Sequence, residues 1–247
     1  MDHAENPEQT WPRTAAVFGA SGGIGRALVT RLAARGVHVY AGSREGSEPA
    51  GDSITPFAFD LTDEATLAAA AEAMRDFPPQ LVIVATGILT LPDGTGPERS
   101  YRKLDGAALG QVLALNTIGP ALIAKHMLPL FARDTKCVFT ALSARVGSIG
   151  DNGLGGWHSY RASKAALNML LKNFAIELSR THTQAIVAGL HPGTVDTGLS
   201  EPFQSGVPEG KLFTPEQSAG YLLDVIDGLG PDDSGGVFDW AAERIAD

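Results

Sequence analysis

The chain has 247 residues, of which 44% are hydrophobic and 19% charged, with a formal net charge of −9. This composition is typical of one folded globular protein, and an acidic chain without a Lys/Arg cluster excludes nucleic acid and anionic membranes as expected partners. A single cysteine, Cys137, cannot form an internal disulfide or a thiolate metal cage and is typical of the cytoplasm, which is the predicted location.

No apolar run is expected to reach the roughly 18–20 residues that span a bilayer, so no membrane association is expected. The first twelve residues are polar and acidic, unlike the basic and apolar parts of a signal peptide. We predict that residues 1–12 form a flexible tail and that residues 13–247 form one domain.

Along this domain, segments with strand-like and helix-like patterns alternate. Short apolar segments predict strands at 14–18, 37–41, 54–60, 80–86, 137–142, 185–192 and 235–240. Helical periodicity or strong helix formers predict helices at 23–36, 63–77, about 104–131, 159–181 and 214–229. The alternation predicts an α/β fold: a Rossmann-type, doubly wound parallel sheet of about seven strands, with helices on both faces.

A glycine-rich turn follows the first predicted strand. Gly19, Gly23 and Gly25 have the spacing G-x-x-x-G-x-G, and Ser21, Gly22 and Ile24 stand between them. Glycines at a strand-to-helix turn allow the backbone to approach a pyrophosphate, which the free N–H groups of the helix can bind. The alternative is a purely structural turn.

The same residues also match G-x-S-x-G, the nucleophile elbow of α/β-hydrolases. Only one strand precedes this turn, and Asp196 follows His191 where that fold needs the acid before the histidine. A hydrolase is therefore disfavoured.

Tyr160 and Lys164 lie four residues apart in a predicted helix, so their side chains share one face. An ammonium about 4 Å from the phenol would favour phenolate by roughly 4 kcal/mol, which would lower the tyrosine pKa by about 3 units. Desolvation of the phenolate would oppose this lowering. The pair therefore suits proton transfer. The alternative is a tyrosine at an interface beside a lysine that reaches solvent.

Together, the glycine turn, Asn116, the Tyr160/Lys164 pair and the 191–197 segment resemble the short-chain dehydrogenase/reductase family over residues 14–240. The 143–168 segment is most similar to the subgroup that contains the C-factor proteins and the sniffer-type carbonyl reductases. The resemblance implies an oxidoreductase that transfers hydride between a nicotinamide cofactor and a small-molecule carbonyl or secondary alcohol. The alternative is a C-factor-like signalling or nucleotide-sensing protein with little turnover.

Residue roles follow from the same resemblance. Tyr160 would be the general acid/base, Lys164 would also bind the nicotinamide ribose, and Asn116 would hold a water beside the lysine. Cofactor contacts are implied for Asp60, Leu61, Gly87, Pro192, Gly193, Val195 and Thr197. The family also implies a substrate lid, here at 198–212, and a homodimer or homotetramer.

One family position departs from its usual residue. The family places a serine three residues before a glycine at the end of the fifth strand, where this chain has Ala144. Ser143 is one residue early and Ser148 lies in the following loop. We predict Ser143 as the catalytic hydroxyl, through a local bulge; the alternatives are Ser148 or no such donor. In addition, Val84-Ala85-Thr86-Gly87 replaces the usual Asn-Asn-Ala-Gly.

Cofactor preference is predicted from the end of the second strand, where Ser43 and Arg44 stand in place of the acid that holds an NAD ribose. Arg44 could bind a 2′-phosphate through bidentate hydrogen bonds, so NADP(H) is expected to be preferred over NAD(H). The alternative is that Arg44 is only a solvated loop cation. His191 is interpreted as a turn residue and His158 as a pocket residue; with no H-x-x-x-H or C-x-x-C spacing, no catalytic metal is expected.

Overall fold

The computed structural model describes residues 11–47, 51–208 and 210–247. Its strands are β1 (Thr14–Phe18), β2 (His38–Ser43), β3 (Ile54–Ala58), β4 (Leu81–Val84), β5 (Cys137–Leu142), β6 (Ala185–His191), β7 (Thr194–Val195), β8 (Leu212–Phe213) and β9 (Val237–Asp239). Its α-helices are α1 (Gly23–Ala34), α2 (Glu64–Ala73), α3 (Gly106–Leu113), α4 (Gly119–Met127), α5 (His158–Leu178) and α6 (Pro215–Gly228).

Seven strands form one parallel sheet in the order β3-β2-β1-β4-β5-β6-β9, while β7 and β8 pair separately. Apolar side chains of α1 and α6 pack on one face of the sheet, and those of α2, α4 and α5 pack on the other. The predicted doubly wound fold is confirmed. Strand order reverses between β1 and β4, which is where such sheets bind ligands.

Register brings the carboxyl ends of the central strands to one edge. Val84 pairs with Ala141, Leu142 pairs with Leu190, and His191 pairs with Asp239. Residues that directly follow β4, β5 and β6 are therefore neighbours in space, although they are far apart in sequence.

The predicted helix at about 104–131 is interrupted. A five-residue π-helical turn, Ala114–Ile118, separates α3 from α4, and a 3₁₀ turn, Leu128–Leu130, follows α4. Pro120 has no N–H to donate to the carbonyl of Asn116, so the α-helical hydrogen-bond ladder breaks there. The break lies at the predicted site residue Asn116.

The segment Gly106–Leu130 has a mean hydropathy of 1.5 and is, among the described residues, long and apolar enough to cross a membrane by length and composition. The expectation that no such run exists is therefore wrong. Val112, Ile123 and Met127 in this segment are buried, and its helices pack against α2 and α5. About 39% of its most apolar window is buried, so packing within the fold accounts for part of the apolar composition.

The N-terminal prediction needs a partial correction. Residues 1–10 lie outside the described residues, but Trp11 and Pro12 are packed rather than free. Pro12 is buried, the Trp11 Nε1–H donates to the Lys136 carbonyl at 2.8 Å, and the Lys136 ammonium lies 4.5 Å from the Trp11 ring centroid. This apolar and cation–π contact holds the chain just before β1.

Candidate active site

A cavity of about 620 Å³ opens where β1, β4, β5 and β6 end. Most predicted site residues line it: Gly22, Gly23, Ile24, Gly25, Gly87, Ser143, Tyr160, Lys164, Pro192, Gly193, Val195 and Thr197. The other predicted residues are not among its lining: Gly19, Ser21, Ser43, Arg44, Asp60, Leu61 and Asn116.

The glycine turn at the start of α1 is built for close backbone approach. Gly19 has φ 95°, and its N–H and that of Ala20 donate to the Gly42 carbonyl at 3.0 and 2.8 Å. A Cβ on Gly25 would lie only 2.1 Å from the Gly19 carbonyl oxygen. The first N–H groups of α1 have no intrahelical acceptor, and the residues that carry them line the cavity. This cradle fits the pyrophosphate of a dinucleotide cofactor.

Tyr160 and Lys164 are both buried on the face of α5 that lines the cavity. Lys164 Nζ donates to the Leu142 carbonyl at 2.7 Å and lies 5.7 Å from the centroid of the Tyr160 ring. Burial raises the pKa of Tyr160 to about 12 and lowers the pKa of Lys164 to about 8. Desolvation therefore outweighs the expected lowering of the tyrosine pKa by the ammonium, because it penalises the charged form of both groups.

Asn116 orders the loop that follows β4. Its Oδ1 accepts the Ile88 N–H at 2.8 Å, and its Nδ2 donates to the Ile88 carbonyl at 2.8 Å and to Ser163 Oγ at 3.1 Å. A Cβ on Gly87 would lie 3.5 Å from both Asn116 Oδ1 and Lys164 Nζ. The structure thus brings Gly87, Asn116 and Lys164 together. The water that the family resemblance implies beside the lysine stays a prediction.

Ala144, which stands at the family's hydroxyl position, and the two candidate serines have different surroundings. Ser143 lines the cavity, but its Oγ donates to Asn168 Oδ1 at 2.6 Å. Ala144 packs in one buried cluster with Tyr160. Ser148 is buried outside the cavity lining, and its Oγ accepts the Asp151 N–H at 3.0 Å. The side chain at the family's hydroxyl position is therefore a methyl group in the same cluster as the tyrosine, and a catalytic role for Ser143 stays a prediction.

The remaining predicted cofactor residues, Ser43, Arg44, Asp60 and Leu61, lie at or just after the ends of β2 and β3. Ser43 is buried and its Oγ accepts the Gly46 N–H at 3.0 Å, whereas Arg44 is exposed. Hydrogen bonds from the Thr62 hydroxyl and main chain lower the pKa of the Asp60 carboxyl. Leu61 packs on α4, where a Cβ on Gly119 would lie 2.8 Å from its Cδ2.

Several functional candidates carry no sequence motif. Leu89, Val146, Trp157 and Phe203 form an apolar wall of the cavity, and the Trp157 and Phe203 ring centroids are 5.1 Å apart. Phe203 belongs to the 3₁₀ helix Glu201–Gly206, within the predicted lid. Aromatic residues in loops have no periodicity to mark them, so sequence reasoning missed this wall.

Glu98 was also missed. It is buried, its carboxylate accepts the N–H and the hydroxyl of Ser159, and its carbonyl accepts the Trp157 N–H. α5 begins at His158 after Trp157, whose φ is 50° and whose side chain does not cap the helix. Glu98 thus supplies the negative charge that a helix N-terminus favours, immediately before Tyr160.

Among the described residues, no group of three or more His, Cys, Asp or Glu is arranged to hold a metal ion.

Comparison with protein families matches residues 13–207 to the short chain dehydrogenases. A 1-hydroxy-2-glutathionyl-2-methyl-3-butene dehydrogenase of Rhodococcus sp. (strain AD45) is 34% identical over 227 residues, covering 90% of this chain and 94% of the relative. The C-signal protein of Myxococcus xanthus is 32% identical over 142 residues, covering 58% of this chain and 80% of the relative.

Solved structures also match nearly the whole chain. An NADPH-bound carbonyl reductase from chicken fatty liver superposes with a TM-score of 0.79 at 25% identity, over 95% of this chain and 94% of that chain. The carbonyl reductase Sniffer of D. melanogaster has a TM-score of 0.80 at 21% identity, over 95% and 99% of the two chains, and shows the shared fold.

Proposed function

Because this chain belongs to the short-chain dehydrogenase/reductase family, as its motifs predicted, we propose that it transfers hydride between NADP(H) and a carbonyl or secondary alcohol, with Tyr160 as the general acid/base. The observation that carries the proposal is the buried Tyr160/Lys164 pair, which lines the same cavity as the glycine turn. One cavity thus contains a proton-transfer pair and a phosphate-binding backbone.

The proton chemistry follows from the pKa values. Burial raises the pKa of Tyr160 to about 12, so at neutral pH the phenol is protonated and can donate to a carbonyl oxygen. A nicotinamide cofactor would supply hydride for the carbonyl carbon, and with the proton from Tyr160 the product would be the alcohol. Lys164, with its pKa lowered by burial to about 8, is largely charged at neutral pH and supports return of a proton to the tyrosine.

NADP(H) is proposed over NAD(H) as the cofactor. Arg44 is exposed directly after β2, available to a 2′-phosphate, and neither it nor Ser43 would repel that group. A related carbonyl reductase of known structure is described as NADPH-bound, which supports the same choice.

For the substrate we propose a bulky, mostly apolar carbonyl compound. The wall of Leu89, Val146, Trp157 and Phe203 would bury apolar groups. Arg145 also lines the cavity, but its guanidinium is paired with Asp239 at 2.7 Å and with Asp151 at 3.5 Å. The charge is thus already compensated, which disfavours an anionic substrate as the main class.

The test is to mix the purified protein with NADPH and a panel of apolar ketones and aldehydes, and to follow loss of NADPH absorbance. Tyr160→Phe should abolish consumption while NADPH binding, measured by fluorescence, is retained. Tyr101→Phe is the matched control, since Tyr101 is 66% exposed and lies outside the cavity lining. Turnover retained in Tyr160→Phe would refute the assignment.

A signalling or nucleotide-sensing role with little turnover is the second candidate. The methyl group of Ala144 beside Tyr160 favours it, as does the similarity to a protein named C-signal. NADPH that binds but is not consumed with any carbonyl of the panel would support this role over the reductase.

We also propose a cytoplasmic homodimer or homotetramer. Ile118, Met169 and Ile176 expose apolar side chains on the π-helical turn and on α5, which supports an interface along these helices. Light scattering coupled to gel filtration tests the oligomeric state.

A further inference from the structure

We propose that His191 is a catalytic residue whose ring hydrogen-bonds the substrate oxygen beside the Tyr160 hydroxyl. The inference rests on the proposed reductase function and concerns the donor that Ala144 cannot supply. A carbonyl oxygen that gains negative charge during hydride transfer is stabilised by a second hydrogen-bond donor next to the acid.

The register of the sheet places His191 at the edge where the central strands end and the cavity opens. Leu142 pairs with Leu190, and the Ser143 N–H donates to the Leu190 carbonyl at 2.8 Å. His191, the last residue of β6, therefore lies in the same region as Ser143 and Ala144, which directly follow β5. It is among the residues that line the cavity, together with Tyr160 and Ala144.

The imidazole of His191 is not engaged elsewhere. Its Nδ1 is buried and has no hydrogen-bond partner among the described residues. Because Nδ1 is buried, Nε2 is the ring nitrogen left to reach a ligand in the cavity that His191 lines. With the proton on Nε2, the ring donates to a substrate oxygen and leaves no buried N–H unpaired at Nδ1.

The ring is neutral at neutral pH. Burial is the main cause that lowers the pKa of His191 to about 4; Arg145 lowers it further and Asp239 opposes the shift. Arg145 Nη2 donates to Asp239 Oδ2 at 2.7 Å, and Asp239 Oδ1 accepts the N–H groups of Ala241 and Glu243. Both charged neighbours are thus committed to each other or to main chain.

Other hydroxyls of the cavity are less well placed. The Ser143 hydroxyl donates to Asn168. Thr86 Oγ1 is buried without a partner, but the Thr86 methyl packs at the glycine turn, where a Cβ on Gly19 would lie 3.1 Å from it. Thr86 therefore lies towards the phosphate-binding glycine turn, and the experiment below includes Thr86→Val.

The experiment compares His191→Phe and His191→Gln with Ser143→Ala and Thr86→Val, using the best carbonyl substrate of the panel. His191→Phe should lower kcat by roughly 10²–10³-fold, as loss of one oxyanion donor does, with the NADPH dissociation constant changed by less than about twofold. His191→Gln retains a neutral N–H donor and should recover at least roughly tenfold of that loss. The control Tyr101→Phe, outside the cavity lining, should leave kcat within about threefold of the unmodified protein, whereas Ser143→Ala and Thr86→Val should each lower kcat at least roughly tenfold less than His191→Phe does.

An unchanged kcat in His191→Phe would overturn the proposal, as would a comparable loss in Ser143→Ala or Thr86→Val. If His191→Phe does not fold, two other measurements test the proposed contact. They are the kcat of His191→Gln and the NMR spectrum of the unmodified protein labelled with ¹⁵N-histidine. The product alcohol, added to the NADP⁺ complex, should shift the Nε2 resonance of His191, and an unshifted resonance would refute the contact. Failure of the proposed function is distinct, because it appears as no turnover in the unmodified protein or as retained turnover in Tyr160→Phe.

Discussion

The buried ring of His191 also leads to a prediction about protein stability, which can be tested without measuring activity. Its pKa is lowered by burial to about 4, against 6.5 for a free histidine. Between these values the unfolded chain binds a proton that the folded protein does not, so acid favours unfolding. The stability contributed by the neutral ring is present above about pH 6.5 and is lost as the pH falls towards 4.

The magnitude follows from the two pKa values. A shift of one pKa unit corresponds to about 1.4 kcal/mol, and between about pH 7.5 and about pH 4.5 the linkage amounts to about 2–3 kcal/mol. Glutamine cannot titrate, so His191→Gln removes this contribution whatever it does to stability at neutral pH. We expect the free energy of unfolding of the unmodified protein to fall by about 2–3 kcal/mol more than that of the variant over this pH range.

Urea titrations followed by circular dichroism at both pH values measure this difference. Ser143→Ala is the matched control, because it changes the neighbouring strand end without removing a titrating group. It should show the same pH dependence as the unmodified protein. Equal losses of stability in the unmodified protein and in His191→Gln would refute the conclusion that the ring is held neutral by burial.

Three further predictions concern cofactor and proton transfer. Gly25→Ala should abolish NADPH binding measured by fluorescence, because its Cβ would lie 2.1 Å from the Gly19 carbonyl, whereas Gly110→Ala, where a Cβ meets no atom within 4 Å, should bind normally. Arg44→Asp should raise the KM for NADPH roughly tenfold or more with little effect on NADH, and unchanged NADPH kinetics would mean that Arg44 is only a solvated cation. Since burial lowers the pKa of Lys164 to about 8, kcat/KM for carbonyl reduction should be constant below that value and fall as the pH rises through it; a profile flat to pH 10 would contradict this role.

The fold and the centre of the site were predictable from local patterns. Alternating strand and helix signals predicted the sheet, and the i, i+4 spacing placed Tyr160 and Lys164 on one helix face. The interruption at Asn116 was missed, although Pro120 four residues later is its physical cause. The predicted helix pattern is apolar on both sides of the break, so periodicity alone did not reveal it.

Electrostatics and loop contacts were less predictable, because they depend on burial and on residues distant in sequence. The distance argument for Lys164 lowering the pKa of Tyr160 had the direction wrong, because desolvation is the dominant effect. Ser143 shows the same limit. Its position in the sequence suggested a catalytic hydroxyl, but only the packing of α5 reveals Asn168 as the partner of that hydroxyl.

The position of Tyr160 results from contacts with residues outside α5. The loop after β4 is joined to the π-helical turn and α5 through Asn116, which bonds Ile88 and Ser163, and to the start of α5 through Glu98, which bonds Ser159. These hydrogen bonds hold Ser159 and Ser163, which lie on either side of Tyr160 in the sequence. The hydrogen bond from Lys164 to the carbonyl at the end of β5 fixes the next turn of the helix. A tyrosine whose proton must reach one substrate oxygen needs such fixed geometry. The Tyr160/Lys164 spacing is thus necessary for the proposed chemistry, but the position of the phenol is set by a buried amide and a buried carboxylate that come from outside α5.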